Sequence, residues 1–105
     1  MTRFNTPGFI EGQIDKTESI EIRRKRLKFR SCHRGIKEAD ILLGSFADQF
    51  LHDMTEDQLD KYETLLSEAD SDLVAWITND RAAPEHYDHD VMTMLKSIDY
   101  IKILK

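Results

Sequence analysis

Three short segments of this 105-residue chain bring chemically capable side chains close together. His86 and His89 stand three apart, flanked by Asp88 and Asp90. Two imidazoles at that spacing can share a helical face, but zinc needs further ligands in tetrahedral array. The chain offers only two other histidines and one cysteine, 54 residues from His86, so a solvated loop is the expectation there and no metal is assigned. Cys32 beside His33 sets a thiol next to a base. Adjacent positions on a helix point in different directions, and no oxyanion site accompanies the pair. Neither a glycine-rich phosphate cradle nor a serine nucleophile elbow occurs. No catalytic residue is assigned.

The third segment, Arg34-Gly35-Ile36-Lys37-Glu38, carries more. A glycine between two helices lets the chain turn with positive φ and lets another backbone approach closely. Arg34 stands just before that opening. Glu38 falls in the first turn of the next helix, where the dipole favours a carboxylate. Two readings follow: a local salt bridge with a helix stop, or a docking surface of one fixed acid and one guanidinium beside a side-chain-free gap.

The elements that must position these residues read as five helices. The first spans about Ser19 to His33, capped by Thr17 or Ser19, and its sparse apolar set (Ile20, Ile22, Leu27, Phe29) predicts little burial. After Gly35, the residues Ile36, Ala39, Leu43, Phe46, Ala47 and Phe50 draw one helical face, broadened by Ile41, Leu42 and Leu51. Gly44 in the middle of that helix suggests a close helix crossing. Thr55-Glu-Asp-Gln58 is a capping box, and the helix it opens places Leu59, Tyr62, Leu65, Leu66 and Ala69 on one face. Asp70 or Ser71 caps a short helix with Leu73, Trp76 and Ile77 inward. Residues 78–88 read as a loop, and a last helix from about Asp88 presents Val91, Met94, Leu95, Ile98 and Ile101. The predicted fold is an all-α, compact five-helix bundle over residues 17–105, preceded by a flexible tail over 1–16.

Composition agrees: 40% apolar, 33% charged, with 4 Gly and 2 Pro. No apolar run approaches the roughly 18 residues of a membrane span, so no direct membrane insertion is expected. The first residues lack the apolar core of a secretory signal, and Glu11 and Asp15 are unlike an Arg-rich transit peptide. A single cysteine fits a reducing compartment. The net charge of −5 hides an asymmetry: residues 16–38 carry nine Lys or Arg against three Glu, and residues 39–90 carry fourteen acids against Lys61 and Arg81. Such a dipole folds back on itself or steers a partner. The simplest reading is a solvated basic helix partly neutralised by its acidic neighbours, and the acidic whole argues against nucleic acid as a partner.

Arg34-Gly35-x-x-Glu38, in its surroundings, resembles the RGxxE motif of the succinate dehydrogenase assembly factor family, the SdhE-type FAD assembly factors of bacteria and their mitochondrial relatives. Arg26-Leu27 precede it at the family's spacing, and Phe29 stands where the mitochondrial branch carries an aromatic. Glu38-x-Asp40-Ile41-Leu42-Leu43-x-x-Phe46, Met54-Thr55-Glu56-x-Gln58-Leu59-x-x-Tyr62, Leu65-Leu66, Asp70-x-Asp72, Trp76, Pro84 and Val91-Met92-x-x-Leu95 continue the likeness, which covers roughly residues 20–100. His33 replaces an arginine common in bacterial members. The resemblance implies a small helical, non-catalytic helper for covalent attachment of FAD to a histidine of the flavoprotein subunit of succinate dehydrogenase or fumarate reductase. It implies protein-binding roles for Arg26, Phe29, His33, Arg34, Gly35, Glu38 and Asp40. FAD is then the client's cofactor, with none bound stably by the chain itself. Also expected are a free monomer and a bacterial cytoplasmic location. Some relatives are labelled antitoxins of a membrane-associated toxin, which gives the alternative function.

Overall fold

The computed structural model of the chain describes residues 18–99, so the expected tail over 1–16, Thr17 and Ile101 lie outside the described residues. Five α-helices follow one another: α1 (Ile20–Cys32), α2 (Lys37–Phe50), α3 (Glu56–Leu66), α4 (Asp70–Ile77) and α5 (Asp90–Lys96). Single 3₁₀ turns lie at Leu51–Asp53 and Glu85–Tyr87, and the described residues hold no strand. The all-α bundle expected from the periodicity is the fold. None of the described helices is long and apolar enough to cross a membrane.

Local chemistry fixes the helix starts. Ser19 Oγ accepts from the Ile22 amide at 3.1 Å and caps α1. The capping box at α3 is complete: Thr55 Oγ1 takes the Gln58 amide at 3.1 Å, and Gln58 Oε1 takes the Thr55 amide at 3.0 Å. His89 Nδ1 accepts from the Met92 amide at 3.2 Å, so α5 begins at Asp90 rather than near Asp88, and one imidazole of the histidine pair serves as a cap. Asn79 takes a left-handed φ of 65° just past α4. Its amide donates to Trp76 O and the next amide to Ala75 O, which closes the helix end.

α1 packs along α2 and crosses α3; α4 lies against α2, and α5 closes on α3 and α4. The core is continuous, from Leu27 of α1 through Leu42, Leu43 and Phe46 to Leu59, Tyr62, Leu73, Trp76, Val91 and Leu95. The Phe46 ring stands 4.9 Å from that of Tyr62 and 5.2 Å from that of Phe50. Burial places Trp76 and Tyr62 in this core, as their helical spacing predicts. At Gly44 an added Cβ would meet Cys32 Sγ at 3.5 Å, which is the close α1–α2 crossing expected there.

Several sequence expectations change. Ile36 does not open the buried face of α2: it is the extended N-cap residue and is 39% exposed. Ala69 is not on the inner face of α3, because that helix stops at Leu66; it is the exposed N-cap of α4. Neither Asp70 nor Ser71 caps α4, since both lie inside it. The 78–88 segment is more than a loop. Tyr87 is buried with its ring 5.5 Å from Trp76, and its hydroxyl donates to Glu68 Oε2 at 2.5 Å.

Candidate functional site

The basic segment is solvated only in part. α1 buries only Leu27 and Ser31, and ion pairs tie Arg23, Arg26, Lys28 and Arg30 to the bundle, while Glu21, Ile22, Lys25 and Phe29 are exposed. Glu63 of α3 is the hub: its carboxylate lies 3.0 Å from Arg23, 2.7 Å from Arg26 and 3.7 Å from Arg30. Those arginines recur at helical spacing, so one face of α1 meets one acid of α3. Burial opposes ionisation of Glu63, and Arg26 and Arg23 outweigh it, leaving its carboxyl below the usual carboxylate range. Arg26 also forks onto Glu18 with both nitrogens at 3.0 Å, and Glu18 and Glu63 together raise its pKa. Arg24 donates to the carbonyls of Leu51 and Met54 at 3.1 and 2.8 Å, satisfying acceptors beyond the end of α2. Lys28 pairs with Asp48 at 2.7 Å. The charge dipole of the sequence folds back on itself, and α1 is the cationic half of an internal network.

Between α1 and α2 the chain turns through residues 33–36. Arg34 points into the protein: only 10% of its side chain is exposed. Its Nε donates to Asp70 Oδ1 at 2.8 Å, and its terminal nitrogens donate to the carbonyls of Leu66 at 2.9 Å and Arg30 at 3.3 Å. A guanidinium at the ends of α1 and α3 complements the negative ends of both dipoles. The Arg34 amide donates to Asp40 Oδ1, and the Gly35 amide donates to Asp70 Oδ2 at 2.5 Å. Gly35 does not adopt the positive φ that its place in a turn suggested. A side chain there is opposed by room instead, because a Cβ would lie 2.9 Å from Asp70 Oδ2. Of the residues expected to bind a partner, Arg34 and Arg26 both have their guanidiniums engaged by acids of this chain, and Arg34 is almost wholly covered.

What faces outward is different in kind. Glu38 is exposed in the first turn of α2 and enters none of the ion pairs among the described residues. Phe29 is 62% exposed, and the His33 ring stacks on it at 3.9 Å and 18°. His33 Nδ1 donates to the Phe29 carbonyl at 2.8 Å, which leaves Nε2 facing away as an acceptor when the ring is neutral. Ile22, seven residues before Phe29 on the same face of α1, and Ile36 are the other large exposed apolar residues among the described residues. The seven expected site residues split in role. Gly35, Glu38, Phe29 and His33 are open to solvent, Arg34 and Asp40 are hydrogen-bonded within the turn, and Arg26 belongs to the separate ion-pair network of Glu18 and Glu63. The sequence reading missed Ile22 and Ile36 as surface and Asp70 as a partner of the motif. Seven-residue spacing from Phe29 was the available signal for Ile22. An exposed carboxylate, a stacked ring pair and an open backbone suit recognition of another molecule.

The sequence pattern of a family described as flavinator of succinate dehydrogenase matches residues 25–99. The chain belongs to that family. It is 44% identical over 81 residues to the zebrafish (Danio rerio) protein named succinate dehydrogenase assembly factor 2, mitochondrial, covering 75% of this chain and 51% of that one. The protein of the same name from Lodderomyces elongisporus is 40% identical over 93 residues, 88% of this chain and 52% of that one. Assembly factor 2-B, mitochondrial, of Drosophila willistoni is 34% identical over 109 residues, 90% of this chain and 70% of that one. The chain thus spans about half the length of the first two curated relatives. These flavinator relatives are eukaryotic and carry mitochondrial names, which overturns the expected bacterial cytoplasmic location. They lend no support to the antitoxin alternative.

Proposed function

We propose that this flavinator-family chain acts in mitochondria as a non-catalytic assembly factor. It binds the flavoprotein subunit of succinate dehydrogenase and promotes covalent attachment of FAD to that subunit's histidine. The observation that carries the reading is the corner itself: Glu38 and the Phe29–His33 stack stand outward on a turn whose Arg34 and Gly35 are held from behind. A surface of this kind selects one arrangement of a client, and a helper that binds that arrangement more tightly shifts the client's population by the difference in affinity. Holding a histidine nitrogen against the flavin in near-attack geometry supplies several kcal/mol through proximity. The helper then needs a surface and no reacting group of its own, and FAD remains the client's cofactor.

The test mixes the purified chain, flavoprotein subunit lacking covalent flavin, and FAD, and follows covalent flavin by fluorescence in a denaturing gel. Glu38→Ala leaves a client cation unpaired and is expected to weaken binding by roughly 2–5 kcal/mol, with covalent yield falling in step. Normal binding and yield from a folded Glu38→Ala variant refute the docking surface.

A further inference from the structure

Asp70 lies 35 residues beyond Gly35 in sequence, at the first position of α4, and meets the corner with both carboxylate oxygens. Oδ1 takes Arg34 Nε at 2.8 Å, and Oδ2 takes the Gly35 amide at 2.5 Å. The same Oδ2 is the atom that a Cβ on Gly35 would approach to 2.9 Å. Asp40 of α2 holds the preceding amide, that of Arg34. Two consecutive backbone donors thus end on carboxylates from two different helices, and the guanidinium between them closes the frame. Nothing else in the described fold crosses from α4 to the turn with side-chain hydrogen bonds. The next acid of α4 behaves differently: Asp72 pairs with Arg81, and both are substantially exposed.

We infer that Asp70 is a positioning residue for the docking surface, acting through Gly35 and Arg34 to keep Glu38 and the Phe29–His33 stack in one relative placement. This rests on the docking reading above. A surface already ordered in its bound shape loses less conformational freedom on association, so releasing the corner weakens binding without removing any group that faces the partner. It also gives Gly35 an internal cause: a Cβ there would press on Asp70 Oδ2, whose carboxylate Arg34 holds in place.

The experiment uses the whole chain and purified flavoprotein subunit of succinate dehydrogenase, at a temperature where circular dichroism shows each variant folded. Asp70→Asn keeps the shape and one accepting oxygen but turns an NH₂ toward the Gly35 amide or Arg34. Asp70→Asn and Asp70→Ala are expected to raise Kd at least tenfold, and Asp72→Asn is expected to leave it within twofold. A purely structural Asp70 would lower the melting temperature and leave Kd of the folded variants unchanged, which overturns the inference. A second measurement needs no partner. Gly35→Ala should lower the melting temperature markedly in the native background and by less than half as much when Asp70 is Ala. Equal losses in both backgrounds overturn the inference too; if Asp70→Ala does not fold, Asp70→Ser, which also withdraws the oxygen facing Gly35, takes its place in both measurements. Glu38→Gln is the control for the underlying reading. If it binds normally, the docking surface itself is refuted; if it fails while the Asp70 variants bind, only the positioning role falls.

Discussion

Removing the Glu63 carboxylate tests whether charge holds α1 to the bundle. Its side chain is 21% exposed and faces Arg23 and Arg26 at 3.0 and 2.7 Å. An exposed ion pair contributes about 0–1 kcal/mol, whereas deleting one partner of a buried pair costs about 3–5 kcal/mol. Glu63→Ala falls between these limits, because Arg23 keeps Asp60 and Arg26 keeps Glu18. The expected loss is about 2 kcal/mol, and at about 4–8 °C per kcal/mol for a domain of this size the melting temperature drops by about 8–16 °C. The folded carboxyl titrates below its ordinary value of 4.5. Its stabilisation is therefore complete above that value and fades as the pH falls through the folded one. Thermal melts by circular dichroism should show the gap between wild type and Glu63→Gln at pH 7 and find it much reduced near pH 3. A Glu63→Ala protein that melts within 3 °C of wild type at pH 7 would refute the charge network as the tie. A Glu63→Gln gap that persists undiminished at pH 3 would assign the effect to packing.

Gly44→Ala should raise the melting temperature, because a mid-helix glycine costs about 1 kcal/mol relative to alanine and the new methyl meets Cys32 Sγ at an ordinary contact distance of 3.5 Å; a lowered midpoint means the α1–α2 crossing has no room. Trp76→Ala should destabilise by roughly 3–5 kcal/mol, since Trp76 is a buried core residue beside Tyr87, and an unchanged melt would remove it from the core.

The sequence made the helices legible because their signals are local. The Thr55 capping box, the Ser19 cap and the periodic faces of α2 and α3 need only neighbours within a turn or two. Ile36, Ala69 and Tyr87 were misplaced because each sits at or beyond a helix end, where a one-residue shift of boundary rotates the side chain off the expected face. The site was half legible. Arg34, Gly35 and Glu38 stand out as a spaced set, yet the direction of Arg34 depends on Asp70 and on the Leu66 carbonyl, over 30 residues away. Asp70 at the start of a helix reads as a cap from local pattern alone, and only the tertiary arrangement turns it toward Gly35. The charge asymmetry was visible, but its destination was not: composition gives the sum, and Glu63 gives the geometry.

Arg34, Gly35 and Glu38 therefore answer to different constraints, and their variants should fail in different ways. Arg34 is covered and hydrogen-bonded to a carboxylate and to carbonyls at two helix ends. Arg34→Ala strands Asp70 at a cost of about 3 kcal/mol, and Arg34→Lys keeps the charge but loses the fork that spans these acceptors. Both should lower the melting temperature of the isolated chain, with Lys the milder. Glu38, exposed and outside the ion-pair network, should change the melt by no more than surface substitutions do, about 0.5 kcal/mol, while still weakening client binding. Melting curves of the three variants set beside their binding to the flavoprotein subunit separate the two roles. If Arg34→Ala melts like wild type and fails only in binding, its guanidinium faces the client and the inward geometry is not what its role rests on. If Glu38→Ala loses stability as Arg34→Ala does, the carboxylate belongs to the frame, and the outward face of the corner reduces to the Phe29–His33 stack and its flanking isoleucines.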